Sequence, residues 1–323
     1  DAADTYTMSV TGASPIASAT SGNVVVSTSG TPSLSVGTLT AFGSQCTNSV
    51  YGPNSFTITG TNLTTADVTV DALSGYTYST TAGGSYSSTL TRPQGVGSFS
   101  QTIYVKFSPT ASQAYSGNIS VGGGGASSIY CGASGTGINT APTVTASAAT
   151  GVGLYTATIP GTITDIGCTA ITAYGIEYSS SSGFANGAGT QVAGSNLSGS
   201  NYSVALSGLN LGTTYYYKTY ATNSGGTSYS TQSSFTTSTP TITVGTINSF
   251  GNVTVNTTST EQNYIVSGVD MLSDVTITPP AGFEVSLTSG SGFVANPSTI
   301  VLSPSSGTLA ATTIYVRFKP TAV

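Results

Sequence analysis

The chain has 323 residues and very little charge, with 5 Lys and Arg, 10 Asp and Glu, and neither His nor Trp. Without His, the Ser-His-Asp and Cys-His catalytic arrangements are excluded, and five scattered basic residues argue against a cationic patch for nucleic acid. We find no apolar run long enough to span a bilayer, so membrane insertion is not expected. With 37% apolar residues the chain can still build hydrophobic cores, and its length predicts two to four domains.

Most segments alternate apolar and small polar residues with a period of two, which is typical of half-buried strands. Along the chain, clear examples are residues 56–59, 68–70, 103–107 and 118–121. Residues that favour turns separate these strands, including Gly60-Thr61-Asn62, Ser74-Gly75 and the run 122–125. No stretch has the spacing of an amphipathic helix over three turns. The pattern predicts an all-β chain of antiparallel β-sandwiches.

The chain contains an internal repeat. The sequence PSLSVGTLTAFG at 32–43 returns as PTITVGTINSFG at 240–251, and TIYVKFSPTA at 102–111 returns as TIYVRFKPTA at 313–322. Because the beginning and the end of the segment both recur, one module is used twice, with a different module between the copies.

The repeats define the predicted domains. The first copy covers residues 33–139, the middle module 141–237, and the second copy 239–323. The second copy lacks segments that correspond to residues 115–121 and 126–133, so we expect it to be truncated. Residues 1–31 are interpreted as closing strands of a preceding module or as an N-terminal extension. The chain is therefore either a window from a longer array or a subunit whose end strands a neighbour completes.

The middle module carries the most specific motif, GLNLGTTYYYKTYATN at residues 208–223. It resembles the corner before the F strand of fibronectin type III domains, where Leu209 and Tyr215 would form a tyrosine corner. There the Tyr215 ring is buried and its hydroxyl bonds to backbone near Leu209. Fibronectin domains usually pack around a Trp, which this chain lacks. Three residues are candidates to fill that volume: Tyr155, Tyr174 and Tyr178.

Taken together, the modules resemble secreted repeat proteins of Bacteroidetes bacteria. The residues that carry the resemblance are FTITGTNL at 56–63, YVKFSPT at 104–110 and AYGIEYS at 173–179. The resemblance implies alternating Ig-like and fibronectin type III-like sandwiches, type IX secretion, and an extracellular or cell-surface location. Such proteins are long surface adhesins, including gliding-motility adhesins, or spacers in large secreted enzymes.

Two cysteines lie near opposite ends of the first copy, Cys46 and Cys131. A sandwich can bring such positions together, and a disulfide between them would close a loop of about 85 residues, worth at most ~4–5 kcal/mol. Two buried free thiols are the alternative. The second copy has Thr254 in place of Cys46, so the fold does not require the bridge.

The acidic residues do not suggest chemistry. Asp67 and Asp274 occupy matching places before strands of the two copies, which favours hydrogen bonding within turns. We therefore expect no enzyme activity, no catalytic residue and no cofactor. Calcium is the weaker alternative, because the close pairs Asp1/Asp4, Asp67/Asp71 and Asp270/Asp274 lack the dense spacing of a calcium loop.

Tyrosine is the residue type best suited to mediate contacts, since the chain has 19 of them. An exposed Tyr can stack on a sugar, pack against a neighbouring filament or cover sheet surface. The candidates are Tyr76, Tyr86, Tyr202, Tyr216 and Tyr229.

Three functions follow as hypotheses. The preferred one is a non-catalytic structural region of a bacterial surface adhesin or stalk, acting as a semi-rigid spacer. The second is a subunit of an extracellular filament that assembles through strand-edge complementation. The weakest is a carbohydrate-binding accessory of a secreted enzyme. Expected partners are neighbouring modules of the same or identical chains, surface polysaccharide or another cell-surface protein.

Overall fold

The structure is a computed structural model. It describes residues 30–95 and 97–322 and, before them, only the backbone of four short strands. The chain divides into two compact units, Asp1–Thr140 and Ala141–Val323. We call residues 33–139 the first module, 141–237 the second module and 239–322 the third module. The division into these modules stays a prediction.

The four N-terminal strands form two antiparallel pairs. They are β1 (Asp4–Tyr6), β2 (Ser9–Val10), β3 (Ala19–Thr20) and β4 (Val24–Val26). β1 pairs with β4, and β2 pairs with β3. The proposed role of residues 1–31 as closing strands concerns mainly residues outside the described part of the chain, and it stays a prediction.

The first module contains ten strands in two main antiparallel sheets. The strands are β5 (Ser33–Val36), β6 (Ser44–Cys46), β7 (Tyr51–Leu63), β8 (Val68–Val70), β9 (Tyr76–Ser79), β10 (Leu90–Arg92), β11 (Gly97–Phe107), β12 (Gly117–Gly123), β13 (Ala126–Ala133) and β14 (Thr136–Ile138). One sheet has the order β5-β7-β11-β9 and the other β10-β8-β12-β13, while β6 and β14 form a parallel pair.

Period-two alternation places one face of each sheet in the core of the first module. On β11, the side chains of Ile103, Val105 and Phe107 are fully buried, while those between them are half-buried. The facing sheet contributes Val68 and Val121 to the same hydrophobic cluster. Because the two sheets share one core, the first module is a β-sandwich.

One predicted turn is wrong. Gly60-Thr61-Asn62 was expected to end a strand, but β7 continues through these residues to Leu63. Asn62 adopts a left-handed φ of 54°, and the register with β11 shifts between Gly97 and Phe99. The residues that favour turns therefore form an irregularity that bends a long strand without ending it.

The second module contains nine strands in two antiparallel sheets. The strands are β15 (Thr143–Ala146), β16 (Ala157–Asp165), β17 (Ala173–Ser179), β18 (Thr190–Ala193), β19 (Ser195–Ser198), β20 (Asn201–Leu206), β21 (Thr214–Asn223), β22 (Gly226–Tyr229) and β23 (Ser233–Thr236). One sheet has the order β15-β16-β20-β19; the other has the order β18-β17-β21-β22, with β23 also on β21. These two sheets, with their strands assigned in this way along the chain, are the arrangement expected for an Ig-type sandwich.

Tyrosine and phenylalanine fill the core of the second module in place of Trp. The most deeply buried ring is Tyr217, which lies 5.9 Å from Phe235 between ring centroids. Tyr174 and Tyr178 pack half-buried against this core. Tyr155 is exposed, so its proposed role as a core residue is wrong.

The third module repeats one complete sheet of the first. Its strands are β24 (Thr241–Val244), β25 (Gln262–Val269), β26 (Val275–Ile277), β27 (Phe283–Ser286), β28 (Val294–Ala295), β29 (Ile300–Leu302) and β30 (Leu309–Phe318). The large sheet has the order β24-β25-β30-β27-β28, and β26 pairs with β29. Val244 faces Val266 as Val36 faces Ile58 in the first module, so the register is repeated too.

An aromatic cluster is also repeated in the third module. Phe42, Tyr76 and Phe107 form the cluster of the first module, with ring centroids 5.2–5.9 Å apart. Their counterparts have centroids 4.8–6.4 Å apart and are Phe250, Phe283 and Phe318. The two copies therefore share a sheet, its register and its aromatic packing.

The predicted all-β fold, a tandem array of antiparallel Ig-like and fibronectin type III-like β-sandwiches, is confirmed. Across the described residues, the structure contains strands and turns but no helix. It follows that none of these residues belongs to a helix with the length and apolar character needed to cross a membrane.

The aromatic clusters allow a matched test of packing. We expect Phe107→Ala to destabilise the first module by about 3–5 kcal/mol, because a fully buried ring is removed. Phe318→Ala removes a half-buried ring and should cost the third module clearly less. Hydrogen exchange measured by mass spectrometry on peptides from β11 and β30 reports each effect separately. Equal losses of stability in the two modules would contradict the expectation that the more deeply buried ring contributes more.

Candidate functional site

Strands β12 and β13 close the core of the first module. β12 pairs with the edge of β8, with Val121 opposite Val70. Its side chains at Ile119 and Val121 are fully buried. The turn between β12 and β13 needs glycine, because residues 123–125 all have positive φ and a Cβ at Gly123 would collide with a backbone oxygen. A complete copy of the repeated module therefore includes this hairpin.

β13 covers strand β5 and the connection that follows it. The two strands pack together, and the amide N of Phe42 donates to the carbonyl O of Ser134 at 2.9 Å. Cys131 and Ala133 point into the core and are buried. The apolar residues that this packing shields are half-buried: Leu34, Val36 and Leu39.

Tyr115 completes the aromatic cluster just before β12. Its ring meets that of Phe107 edge-on, with centroids 5.5 Å apart. The Tyr76 hydroxyl donates to the Tyr115 carbonyl O at 2.6 Å, and the amide N atoms of Thr110 and Ala111 each donate to the Tyr115 hydroxyl at 3.0 Å. Tyr115 thus ties the hairpin to the cluster.

The third module has an open groove where the first has its hairpin. Among the described residues, β26 pairs only with β29, although its counterpart β8 lies between two strands. Beside it is an open cavity of about 360 Å³. We call this the open groove; its main lining residues are Val244, Ile247, Tyr264, Ile277, Phe283 and Val316.

β24 and the segment that follows it are more exposed than their counterparts in the first module. Ile242, Val244 and Ile247 are 50%, 58% and 39% exposed, although their counterparts in the first module are half-buried under β13. Neighbouring apolar side chains that remain this accessible mark a surface suited to packing against another polypeptide.

The chemistry of the open groove favours binding over catalysis. No charged side chain lines it, and its one ionisable group is the Tyr264 hydroxyl, whose pKa is raised by burial. An uncharged apolar lining can exclude water but offers neither a nucleophile with a base nor a pair of carboxylates. Among the described residues, the lining of the groove therefore carries no catalytic group.

The predicted tyrosine corner is present in the second module. Leu209 and Tyr215 are both buried, and the amide N of Asn210 donates to the Tyr215 hydroxyl at 3.0 Å. The ring of Tyr215 stacks on that of Phe235 with centroids 5.7 Å apart. The corner pins the connection between the sheets and has a structural role.

A buried carboxylate organises a long loop of the second module, which the sequence did not indicate. Glu177 is fully buried, and its carboxylate accepts hydrogen bonds from the amides of Gly187 at 3.0 Å and Gly189 at 2.5 Å. On the paired strand, Lys218 Nζ donates to the Phe184 carbonyl O at 2.7 Å. These contacts hold the loop, residues 180–189, against the sheet.

The tyrosines predicted to mediate contacts divide into two groups. Tyr76 and Tyr202 are buried core residues, so their selection as exposed contact residues is wrong; each hydroxyl donates to a backbone carbonyl. The other three are half-buried: Tyr86, Tyr216 and Tyr229. Sequence reasoning missed Tyr130, which is 63% exposed on β13. The available signal was its position between Ile129 and Cys131, because the residue between two inward-facing residues of a strand points outward.

The predicted bridge between Cys46 and Cys131 is also wrong. Cys131 is a buried free thiol on β13, opposite Ile119, and its Sγ lies 3.5 Å from the Gly37 carbonyl O. Cys46 lies beside Ile138 in the separate pair β6–β14. The two cysteines therefore occupy different sheets. Burial raises the pKa of the Cys131 thiol, which makes it a poor nucleophile.

The described part of the chain contains no group of three or more His, Cys, Asp or Glu residues arranged to hold a metal ion. Calcium binding at Asp67/Asp71 or Asp270/Asp274 stays a prediction, and the side chains of Asp1 and Asp4 lie outside the described part of the chain.

Comparison with known proteins gives likeness to solved structures alone. No protein family matches the chain, and no curated protein matches either. The FN1-FN3 domains of chicken CNTN1 align over 64% of this chain and 64% of that one, just under two thirds of its length, at 16% identity and a TM-score of 0.26. An I-band fragment from titin aligns over 89% and 88% at 12% identity and a TM-score of 0.30. A second titin fragment aligns over 69% and 71% at 13% identity and a TM-score of 0.24.

The tyrosine corner can be tested by removing one oxygen. We expect Tyr215→Phe to destabilise the second module by about 1–3 kcal/mol, because the amide of Asn210 loses its buried acceptor. Tyr174→Phe is the control, since its hydroxyl accepts a longer bond of 3.3 Å at an exposed amide. The loss of protection from hydrogen exchange in peptides from residues 201–223 should be larger for Tyr215→Phe than for Tyr174→Phe. The reverse order would disprove the assignment.

The buried carboxylate predicts a local effect on its loop. Glu177→Ala should destabilise residues 180–189 by about 2–4 kcal/mol, because two amides lose a charged acceptor. Glu261 is the matched control, since it accepts bonds from Ser289 Oγ and the Gly290 amide in a more open setting, where they lower its pKa. Hydrogen exchange of residues 180–189 should rise strongly for Glu177→Ala. Exchange around Ser289 and Gly290 should rise much less for Glu261→Ala. Similar rises in exchange for the two variants would mean that burial of the carboxylate does not strengthen its hold on the loop.

Proposed function

We propose that this chain is a non-catalytic structural repeat region of a bacterial surface adhesin or stalk, and that it acts as a semi-rigid extracellular spacer. The observation that carries the proposal is the repeated module: the same sheet order, strand register and aromatic cluster occur twice around a different sandwich. Reuse of a whole module lengthens a protein without adding a new chemical site.

The distribution of ionisable groups supports this proposal. The acidic groups with described contacts hold backbone or form ion pairs, as Glu177 does in its loop. Glu284 likewise contacts Arg317 Nε at 2.5 Å and Lys319 Nζ at 3.5 Å at the edge of the third module. Such contacts fix strands and loops, which is what a load-bearing or spacing element requires.

The cellular setting is part of the same proposal and rests on the sequence motifs. FTITGTNL at 56–63 and AYGIEYS at 173–179 resemble repeat modules of secreted Bacteroidetes proteins. On that basis we propose export by the type IX route and display at the cell surface. Partners would be neighbouring modules, surface polysaccharide or another surface protein.

A filament subunit is the second candidate function. The observation that favours it is the edge of β26 next to the open groove, which has no partner strand among the described residues. An unpaired edge is a template for another strand. In this alternative, the groove would be completed by the next subunit.

Replacement of a module in the native host tests the spacer function. Residues 141–237 would be exchanged for an unrelated β-sandwich of similar length, or deleted, with surface display checked by antibody. A spacer predicts that exchange preserves adhesion, while deletion reduces it by shortening the reach. Loss of adhesion upon exchange, despite normal display, would instead identify the second module as a ligand-binding or carbohydrate-binding module.

A further inference from the structure

We propose that Lys218 and Asn186 of the second module join through an amide bond between their side chains, with release of ammonia. The cross-link ties strand β21 to the loop of residues 180–189. The observation that carries the proposal is the contact between the two groups, since Lys218 Nζ donates to Asn186 Oδ1 at 2.8 Å. This modification site goes beyond the spacer function and does not depend on it.

The amine of Lys218 is held in place by its contacts. Its Nζ donates to the Phe184 carbonyl O at 2.7 Å and lies 4.5 Å from the centroid of the Phe184 ring. The amine is therefore fixed next to the carboxamide carbon that carries Asn186 Oδ1. A nucleophile and an electrophile held in contact react much faster than the same groups free in solution.

A buried carboxylate holds the other partner. Glu177 lies directly opposite Lys218 on the paired strand, so the two side chains share one face of the sheet. Glu177 is fully buried, and its carboxylate accepts the amide N–H of Gly187, the residue after Asn186, at 3.0 Å. Glu177 is therefore a positioning residue that keeps Asn186 beside the amine.

The loop is fixed on both sides of Asn186. After it, the Gly189 amide donates to Glu177 at 2.5 Å, and a Cβ at Gly189 would lie only 2.9 Å from Glu177 Cγ. Before it, the Gly183 amide donates to Gln232 Oε1 at 2.9 Å. Asn186 itself is exposed, so ammonia released there can leave directly into water.

The geometry also disfavours the side reaction that an Asn-Gly pair can undergo. In that reaction the backbone nitrogen of the glycine attacks the asparagine carboxamide carbon and closes a five-membered imide ring. Here the Gly187 N–H points at the Glu177 carboxylate, which accepts its hydrogen bond. The Lys218 amine is the nucleophile that contacts the Asn186 carboxamide.

The reaction balances without an added reagent. The Lys218 ammonium gives one proton to water, and its neutral nitrogen attacks Cγ of Asn186 to form the new C–N bond. The attacking nitrogen then passes a second proton to Nδ2, the Cγ–Nδ2 bond breaks, and ammonia leaves and takes up a proton from water. No group is oxidised or reduced. Because each chain reacts only once, the small neutral fraction of a lysine amine near neutral pH is sufficient.

Mass spectrometry of the intact 323-residue chain tests the proposal. We expect a mass lower than that of the sequence by about 17 Da, the mass of the ammonia released. Lys218→Arg keeps a positively charged donor but removes the reacting amine, so this variant should show no deficit. Asn186→Ala changes an exposed position and should also show none.

Lys106→Arg is the matched control. Lys106 also lies on a long strand beside an aromatic ring, with its Nζ 4.3 Å from the centroid of Tyr86. This variant should keep the full deficit. A wild-type chain with the mass of its sequence, or a deficit that Lys106→Arg removes, would overturn the proposal.

Digestion of the denatured chain with trypsin separates the cross-link from an imide ring, which also releases ammonia. Trypsin cleaves after lysine only when the side-chain amine is free, so residues 107–317 should remain one peptide in the cross-linked chain. An imide ring would carry the same deficit but leave cleavage after Lys218 normal. That result would overturn the proposal.

The positioning role of Glu177 is tested in the same assay. Glu177→Ala leaves the Gly187 amide without its acceptor and should slow formation of the cross-link roughly tenfold or more. Glu177→Gln keeps an acceptor oxygen and should restore part of the rate. An unchanged rate in Glu177→Ala, or no rescue by Glu177→Gln, would overturn this role.

Discussion

The constraint on which this structure depends is that each apolar sheet face must be covered by a second layer. With only 5% charged residues, the chain has few ion pairs to offer, so burial of these faces has to supply most of its stability. In the first module, the two sheets share one core that includes Ile58 and Ile119. Among the described residues of the third module, the equivalent face is covered only in part, and the core cluster is smaller. The open groove is a direct consequence of that difference.

Low charge also determines how loops are held. The chain fixes connections by bonding side-chain oxygens to backbone amides, as Tyr215 does at Asn210 and Glu177 does at Gly187 and Gly189. A buried acceptor specifies one loop conformation, because leaving the amides without partners is costly. This local rigidity agrees with the proposed role of a spacer, whose modules must keep their shape under load.

Much of the fold could be predicted from the sequence. Period-two alternation identified the strands, since inward and outward residues must alternate on a sheet with one buried face. The spacing of Leu209 and Tyr215 identified the corner, and the internal repeat identified the sheet that the first and third modules share. These signals are local or periodic, so they need no knowledge of which strands pair.

The remaining errors depended on tertiary pairing. Gly60-Thr61-Asn62 has the composition of a turn, yet pairing with β11 keeps it within a strand. The sequence predicts Tyr76 and Tyr202 as contact residues, but both are buried, and each hydroxyl donates to a backbone carbonyl. Cys46 and Cys131 lie near opposite ends of one module in sequence, but Cys131 is a buried free thiol on β13, whereas Cys46 lies on β6 beside β14. The apolar lining of the open groove and the strand edge beside it depend on how the strands pack, so they became visible only in the described structure.

Electron microscopy of the parent protein from its native source tests the spacer account most directly. The account predicts separate, unbranched rods with a series of globular sandwiches, each roughly 30–40 Å long given the usual length of strands and their loops. Continuous filaments built from regularly repeating subunits would contradict it and would show that assembly is the function.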